Sequence, residues 1–141
     1  MISRPAIHFR KRRMTPDGKP APCEFPPSSP VTPNIKAHNC CSTAYDSDKN
    51  DRCDVNLTEW NDSPTWSKLF FQPAGQHYFA YEYRLSGTGA NAKFTAAAYA
   101  DLDCDGTFST FERYGYGDPT SKPGNCAMKG SSAFYKNLET E

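Results

Sequence analysis

Residues Phe94–Glu112 read FTAAAYADLDCDGTFSTFE, and this stretch decides the fold. Two strand-like runs, 94–100 and 108–113, flank an acidic loop. An earlier run with period-two alternation, 77–85, is joined to the first of them by a glycine-containing turn at 86–91. The pattern predicts an α+β, β-rich domain that is built on a small antiparallel meander of three to four strands.

One short helix is predicted at 64–71, and it is too short to be stable on its own. Ser63 suits the N-cap, and Pro64 suits the first helical position, where the missing N–H is not needed. Pro73 ends the helix, because the residue before a proline avoids the helical region. Three large apolar side chains fall on one helix face at i, i+3 and i+4 spacing, with Trp66 expected to anchor in the core: Trp66, Leu69 and Phe70.

The second predicted strand presents a face of small side chains, with Phe94 followed by Ala96, Ala98 and Ala100. Such a face is too shallow to fill a core by itself, and a helix lying across the sheet is its usual cover. We therefore expect one of two covers, either the short predicted helix or a longer helix that this sequence does not contain.

Both ends of the chain are predicted to be irregular. Eight of the 12 prolines fall within residues 1–36, which predicts a long, basic, Pro-rich tail that is extended and poorly ordered. The head domain then comprises residues 37–141. Near the other end, the glycines and prolines of 115–124 are expected to break any element, and 133–135 to add a last short strand.

Six cysteines in a small polar chain predict disulfide-pinned loops and an oxidising compartment. The alternative is a set of free thiols in a cytosolic protein. No C-x-x-C pair is present, which argues against zinc or redox chemistry. The spacing does not determine the connectivity, but the favoured pairs are Cys104 with Cys126, and Cys53 with either Cys40 or Cys41.

The acidic loop has the ligand spacing of a twelve-residue calcium loop. Oxygen-bearing side chains occupy its first, third, fifth, ninth and twelfth positions, Gly106 occupies the sixth, and a backbone carbonyl is available at the seventh. The flanks are predicted strands, unlike the helices of an EF-hand. The alternative is an acidic turn without metal, held by aspartate-to-backbone hydrogen bonds. The predicted calcium ligands are Asp101, Asp103, Asp105, Thr107, Ser109 and Glu112.

A second loop carries a weaker form of the same pattern. Asp46, Asp48 and Asn50 alternate at calcium-loop spacing, but Asp51 replaces the glycine and Leu57 replaces the twelfth-position acid. The alternative is a polar turn that is closed by a disulfide.

Charge and motif content exclude several functions. The 16 basic and 16 acidic residues cancel, which argues against nucleic acid as the main partner. No apolar run approaches the roughly 18 residues of a membrane helix. His8, His38 and His77 have no partners at catalytic spacing, and no G-x-S-x-G or H-E-x-x-H motif occurs, so we expect no catalysis.

A series of motifs carries a resemblance to a known family: SPTW at 63–66, HYFAYEY at 77–83, SGTG at 86–89, FTAAAY at 94–99, DLDCDG at 101–106 and STF at 109–111. Their order resembles the globular heads of type IV pilin-like proteins of myxobacterial type, over residues 53–141. The pseudopilins of type II secretion systems are similar in build, and some of their heads hold calcium in a comparable loop.

The resemblance implies a structural or adhesive fimbrial subunit without catalysis, at the periplasm or cell surface of a Gram-negative bacterium. Its partners would be other pilin subunits and a pilin-type N-terminal helix, through which alone it would contact a membrane. The family's leader and apolar helix are absent from this sequence, which predicts a truncated or misplaced start, a helix on a separate polypeptide, or a protein that has left the filament role.

The alternative function is a small secreted calcium-stabilised binding module that acts on its own. The two functions predict different surfaces. A filament head without its helix should expose an apolar strip along Ala96 and Ala98, whereas an independent module should have that face covered.

Overall fold

A computed structural model describes residues 5, 14–34, 40, 41, 44–120 and 125–137. Within these residues the fold is one open antiparallel sheet with the strand order β1-β2-β3-β4-β5, together with two short helices. The strands are β1 Ser29–Thr32, β2 Ala80–Ser86, β3 Lys93–Ala100, β4 Ser109–Gly117 and β5 Met128–Asn137. The helices are α1 Leu57–Asn61 and α2 Trp66–Leu69, and a 3-10 turn spans Gly89–Asn91.

The predicted meander is confirmed as β2, β3 and β4, which are hydrogen-bonded neighbours in sequence order. Tyr83 lies opposite Ala96, which in turn lies opposite Arg113 on β4. The sheet is larger than the three to four strands predicted, because a strand is added at each edge. No helix in the described part of the chain is long and apolar enough to cross a membrane.

The Pro-rich segment is part of this fold, so the predicted boundary after residue 36 does not separate a tail from a domain. β1 pairs with β2, and the ring of Phe25 is only 3 % exposed. The prediction of a poorly ordered tail is therefore wrong for residues 23–34. The prolines do explain why β1 lies at the edge, because a proline has no backbone N–H to donate and is therefore tolerated only where no second strand has to pair with it. The basic residues 10–13 lie outside the described residues.

The glycines near the end of β4 do not break the strand, contrary to the prediction. A Cβ on Gly115 would lie 2.5 Å from Cε1 of Phe94, and one on Gly117 would lie 2.5 Å from the carbonyl oxygen of Ala90. Glycine is present at both positions because another group approaches the backbone closely. β5 is also longer than the predicted run at 133–135.

The alanine-bearing face of β3 is the core face, and the chain's own side chains cover it. Ala96 is 4 % exposed and Ala100 is fully buried, so the expectation of an open strip is wrong for Ala96. The short predicted helix supplies part of the cover, and α1 and the Pro-rich segment supply the rest. The buried cluster on this face contains Phe25, Trp60, Trp66, Leu69, Tyr83, Ala92, Phe94 and Ala96.

The C-terminal end of α2 explains why Phe70 does not reach the core as predicted. Ser63 caps the helix as expected, since its Oγ accepts hydrogen bonds from the amides of Thr65 and Trp66, both at 3.3 Å. Phe70 then adopts the left-handed conformation, with φ of 50°, and its side chain is 80 % exposed. The turn brings Phe71 inward instead, with its ring centroid 5.6 Å from that of Trp66.

Three disulfides cross-link the described part of the chain: Cys23–Cys126, Cys40–Cys53 and Cys41–Cys104. The pairing of Cys53 with Cys40 confirms one of the two predicted alternatives. The predicted pairing of Cys104 with Cys126 is wrong, because these residues lie near opposite ends of β4. That strand spans roughly 26 Å at strand spacing, whereas bonded cysteines need Cα atoms within about 7 Å.

Candidate functional site

The acidic loop connects β3 to β4 and is organised around the buried carboxylate of Asp101, which is 3 % exposed. Its Oδ1 accepts a hydrogen bond from the amide of Asp105, and its Oδ2 accepts one from the amide of Gly106, both at 3.1 Å. One carboxylate thus closes the turn from within, which is the role that aspartate commonly plays in such turns.

Two further carboxylates lie next to Asp101. Asp103 Oδ1 is 3.3 Å from the amide of Asp105, and Asp105 Oδ1 accepts a hydrogen bond of 2.6 Å from the amide of Thr107. One carboxylate oxygen from each of the three aspartates lies within 4.8 Å of the others. Calcium holds its oxygen ligands at about 2.3–2.6 Å, so oxygens at this spacing fit around one ion.

The backbone of the loop is held from outside by a disulfide. Cys104 and Gly106 both have positive φ, 62° and 90°. Cys104 is bonded to Cys41, whose Sγ also lies 3.4 Å from the carbonyl oxygen of Asp101. The covalent link fixes the turn at the position where its three carboxylates face one another.

Of the other three predicted ligands, Thr107 donates its amide to Asp105, whereas the side chains of Ser109 and Glu112 have other partners. Ser109 is buried, and its Oγ donates a hydrogen bond of 3.4 Å to the carbonyl of Ala100, closing the base of the hairpin. Glu112 lies opposite Ala97 in the sheet and forms an ion pair with Arg84. The reason is the flanking structure, because an extended strand carries the twelfth residue away from the loop, whereas a helix would turn it back.

The second acidic loop has the same local structure as the first. Asp46 is 5 % exposed, its Oδ1 accepts from the amide of Asn50 at 3.0 Å, and its Oδ2 accepts from the amide of Asp51 at 2.9 Å. Lys49 and Asp51 have positive φ, 58° and 60°, at the positions of the two positive φ values in the first loop. The shared spacing predicted two calcium candidates, but not that they would share these hydrogen bonds.

The two loops differ in how their acidic groups are compensated. In the second loop, Nε2 of Gln76 donates to Asp54 Oδ1 at 2.8 Å and lies 3.2 Å from Asp48 Oδ2. Nδ2 of Asn50 also donates to Asp48 Oδ2, at 3.0 Å. Hydrogen bonds from Ser47 and Gln76 hold the pKa of Asp54 below its usual value. Side-chain amides therefore already satisfy carboxylate oxygens of Asp48 and Asp54 in the second loop.

A third group of potential ligands, Cys40, Cys53 and His77, does not form a metal site. The two cysteines are bonded to each other, so neither offers a thiolate. His77 is buried beside Trp60, with ring centroids 6.1 Å apart, and its Nδ1 lies 2.7 Å from the carbonyl oxygen of Phe79. Burial lowers the pKa of His77 below its usual value, so the ring is neutral near pH 7.

Comparison of the chain with protein-family models, with curated proteins and with solved structures finds no match.

Proposed function

We propose that this protein is a small calcium-stabilised binding module that acts on its own outside the reducing cytosol. Three disulfides are typical of proteins of the periplasm or the extracellular space. The observation that carries the proposal is the convergence of Asp101, Asp103 and Asp105, whose carboxylate oxygens lie within 4.8 Å of one another. Like charges this close repel one another, and a dication in the loop removes that repulsion.

Calcium suits this loop better than other common ions. The candidate ligands are carboxylate oxygens, which are hard donors, whereas zinc prefers nitrogen and sulfur. Magnesium requires near-ideal octahedral geometry, while calcium accepts the irregular set of side chains, carbonyls and waters that an exposed turn offers. Asp103 and Asp105 are exposed, so water has access to complete the coordination.

The ion would act on stability. The loop joins the ends of β3 and β4, which are inner strands of the sheet. An ion bound there would hold this hairpin together. A ligand that binds only the folded state raises its free energy of unfolding by RT ln(1 + [L]/Kd), where Kd is the dissociation constant of the ion.

The filament-head hypothesis ranks below this proposal. It depended on a strip of alanines left open for a missing helix, but Ala96 is 4 % exposed and belongs to a buried cluster with Trp66 and Tyr83. The motif resemblance remains as its only support.

Thermal unfolding with all three disulfides intact tests the proposal. We expect millimolar calcium to raise the Tm of the chelator-treated protein, and Asp103→Asn to abolish most of this shift. Asp48→Asn, at the equivalent position of the second loop, is the matched control and should retain it. Identical Tm values with calcium and with chelator would rule out a calcium role.

A further inference from the structure

A concave site lies beside the C-terminal end of α2. The cavity has a volume of about 310 Å³. Three aromatic residues and three uncharged polar residues line it: Trp66, Phe70, Phe71, Asn61, Ser67 and Gln72.

The aromatic wall is formed by a residue in an unfavourable conformation. Phe70 adopts φ 50° and ψ 40°, a region that non-glycine residues seldom occupy, and it exposes 80 % of its surface. Glycine is the usual residue at this position after a helix. The chain instead places a large aromatic side chain there and leaves it in water, which is an arrangement expected at binding sites.

The floor of the cavity is held in place by a backbone hydrogen bond and by ring contacts. The amide of Phe71 donates a hydrogen bond of 3.0 Å to the carbonyl of Trp66, which fixes the turn that projects Phe70 outward. Phe71 lies against Trp66 and Tyr81, with ring centroids 5.6 and 5.1 Å apart. Trp66 is fully buried and donates its Nε1–H to Thr32 Oγ1 at 2.9 Å. A ligand entering the cavity would therefore meet a preformed floor at the half-buried Phe71, which packs against the fully buried Trp66.

The polar rim offers both donors and acceptors without charge. Ser67 Oγ donates to the carbonyl of Ser63 at 2.6 Å, which orients the hydroxyl and leaves its lone pairs as acceptors. Asn61 and Gln72 are exposed at the rim, and each primary amide supplies two N–H donors and a carbonyl acceptor.

This combination selects a ligand class. All six lining residues are uncharged, which disfavours an anionic or cationic ligand because nothing in the site would replace its hydration. A purely apolar side chain would leave the amides at the rim without partners. A pyranose ring satisfies both requirements, because its C–H face stacks on an aromatic ring while its hydroxyls hydrogen-bond to amides.

We propose that this cavity binds a neutral hexopyranose unit of a glycan, with Phe70 as the stacking wall. A volume near the lower end of the range for ligand sites suits a single sugar ring. The inference rests on the proposed role as a binding module and names the ligand of that module.

An NMR titration of the full oxidised chain tests the inference, with the methyl glycosides of glucose, galactose, mannose and N-acetylglucosamine as probes. We expect at least one glycoside to produce saturable shifts in the amides of residues 61–72. Phe70→Ala, which removes an exposed ring, should weaken that binding at least tenfold. Tyr114→Ala is the control, because Tyr114 is also an exposed aromatic, at 38 %, but lies on the other face of the sheet.

The inference would be overturned by the absence of glycoside-induced shifts at these amides, or by shifts that Phe70→Ala leaves unchanged. Binding of N-acetylphenylalanine amide there, with no response to any glycoside, would replace the sugar by an apolar peptide group. The calcium dependence of Tm is read separately, so sugar binding without a calcium shift would overturn only the role of the ion.

Discussion

Phe94 on β3 and Gly115 on β4 lie directly opposite each other, and the ring of Phe94 covers the site that a side chain at 115 would occupy. The ring cannot easily move away. It stacks on Tyr83 with centroids 5.6 Å apart, and it meets the edge of Phe25 at 5.0 Å. The packing of these three rings therefore leaves room only for glycine at position 115.

Gly115→Ala should destabilise the fold by about 1–3 kcal/mol, the range for overpacking a close-packed core. The added Cβ would lie 2.5 Å from Cε1 of Phe94 and 2.8 Å from its Cζ. Gly130→Ala is the matched control, because Gly130 is the β5 partner of Gly115 and no described atom lies within 4 Å of its Cβ position. Denaturant unfolding of both variants measures the difference.

A second variant separates the clash from a loss of backbone freedom. In the double variant Gly115→Ala with Phe94→Leu, the smaller side chain removes the clash, so the two substitutions should cost less together than the sum of their separate effects. Strict additivity would show that the Phe94 ring is not the cause.

Phe70→Gly should stabilise the protein by up to about 1 kcal/mol, because it removes a left-handed penalty of about 1–2 kcal/mol, which the entropic cost of glycine, roughly 0.5–1 kcal/mol, offsets in part. Phe70→Ala retains its Cβ and hence the strain, so it should not gain this stability. Both variants lose the exposed ring, so the difference in stability between them reports the cost of a Cβ in the left-handed conformation, less the entropic cost of glycine. Equal Tm values for the two variants would contradict a strained turn at Phe70.

The meander was predictable because its signal is local. Alternation divides the side chains of each strand between two faces, and Phe94 and Ala96, which the pattern places on one face of β3, do lie together in the buried cluster with Tyr83 of β2. The Ser63 cap was likewise predictable, since a cap depends on the next few residues alone.

The edge strands and the disulfide pairing could not be predicted in full, because they depend on partners that are distant in the sequence. β1 has few strand-forming residues, and its extended conformation is fixed by pairing with β2. In the sequence, Gly115 indicates the end of a strand. Only the tertiary structure shows that glycine is needed there because the ring of Phe94 lies over it. The candidate site was predicted only in part, because the calcium-loop spacing presumes a helix after the loop, whereas Glu112 lies within the extended strand β4.

Glu112→Gln should therefore leave calcium binding unchanged within about twofold. Asp105→Asn should weaken it by roughly tenfold, since it removes a charge from the ligand set. Titration calorimetry on the oxidised protein measures both dissociation constants. The Glu112 substitution should also lower stability by at most about 1 kcal/mol, because its ion pair with Arg84 is partly exposed. Loss of calcium binding in Glu112→Gln would mean that β4 rearranges to complete the twelve-residue loop.

Stability should fall as the pH is lowered below about 6.5, the ordinary pKa of histidine, because of His77. Burial holds the folded-state pKa of His77 below that value, so below pH 6.5 the unfolded chain binds more protons than the folded chain. The contribution of the neutral ring is complete above pH 6.5 and is lost as the pH falls through the folded-state pKa. The loss is at most about 1.4 kcal/mol per pH unit within this window.

Urea unfolding at pH 7.5 and at pH 5.5 measures this effect, and His77→Gln separates it from the other two histidines of the sequence. Glutamine does not titrate, so the variant should lose less stability between the two pH values than the native protein. The structural reason is specific to one atom. Nδ1 faces the carbonyl of Phe79, whereas Nε2 is buried and has no hydrogen-bond partner among the described residues. A proton added at Nε2 would place a charge where nothing pairs with it, so an equal pH response in both proteins would show that this nitrogen is solvated.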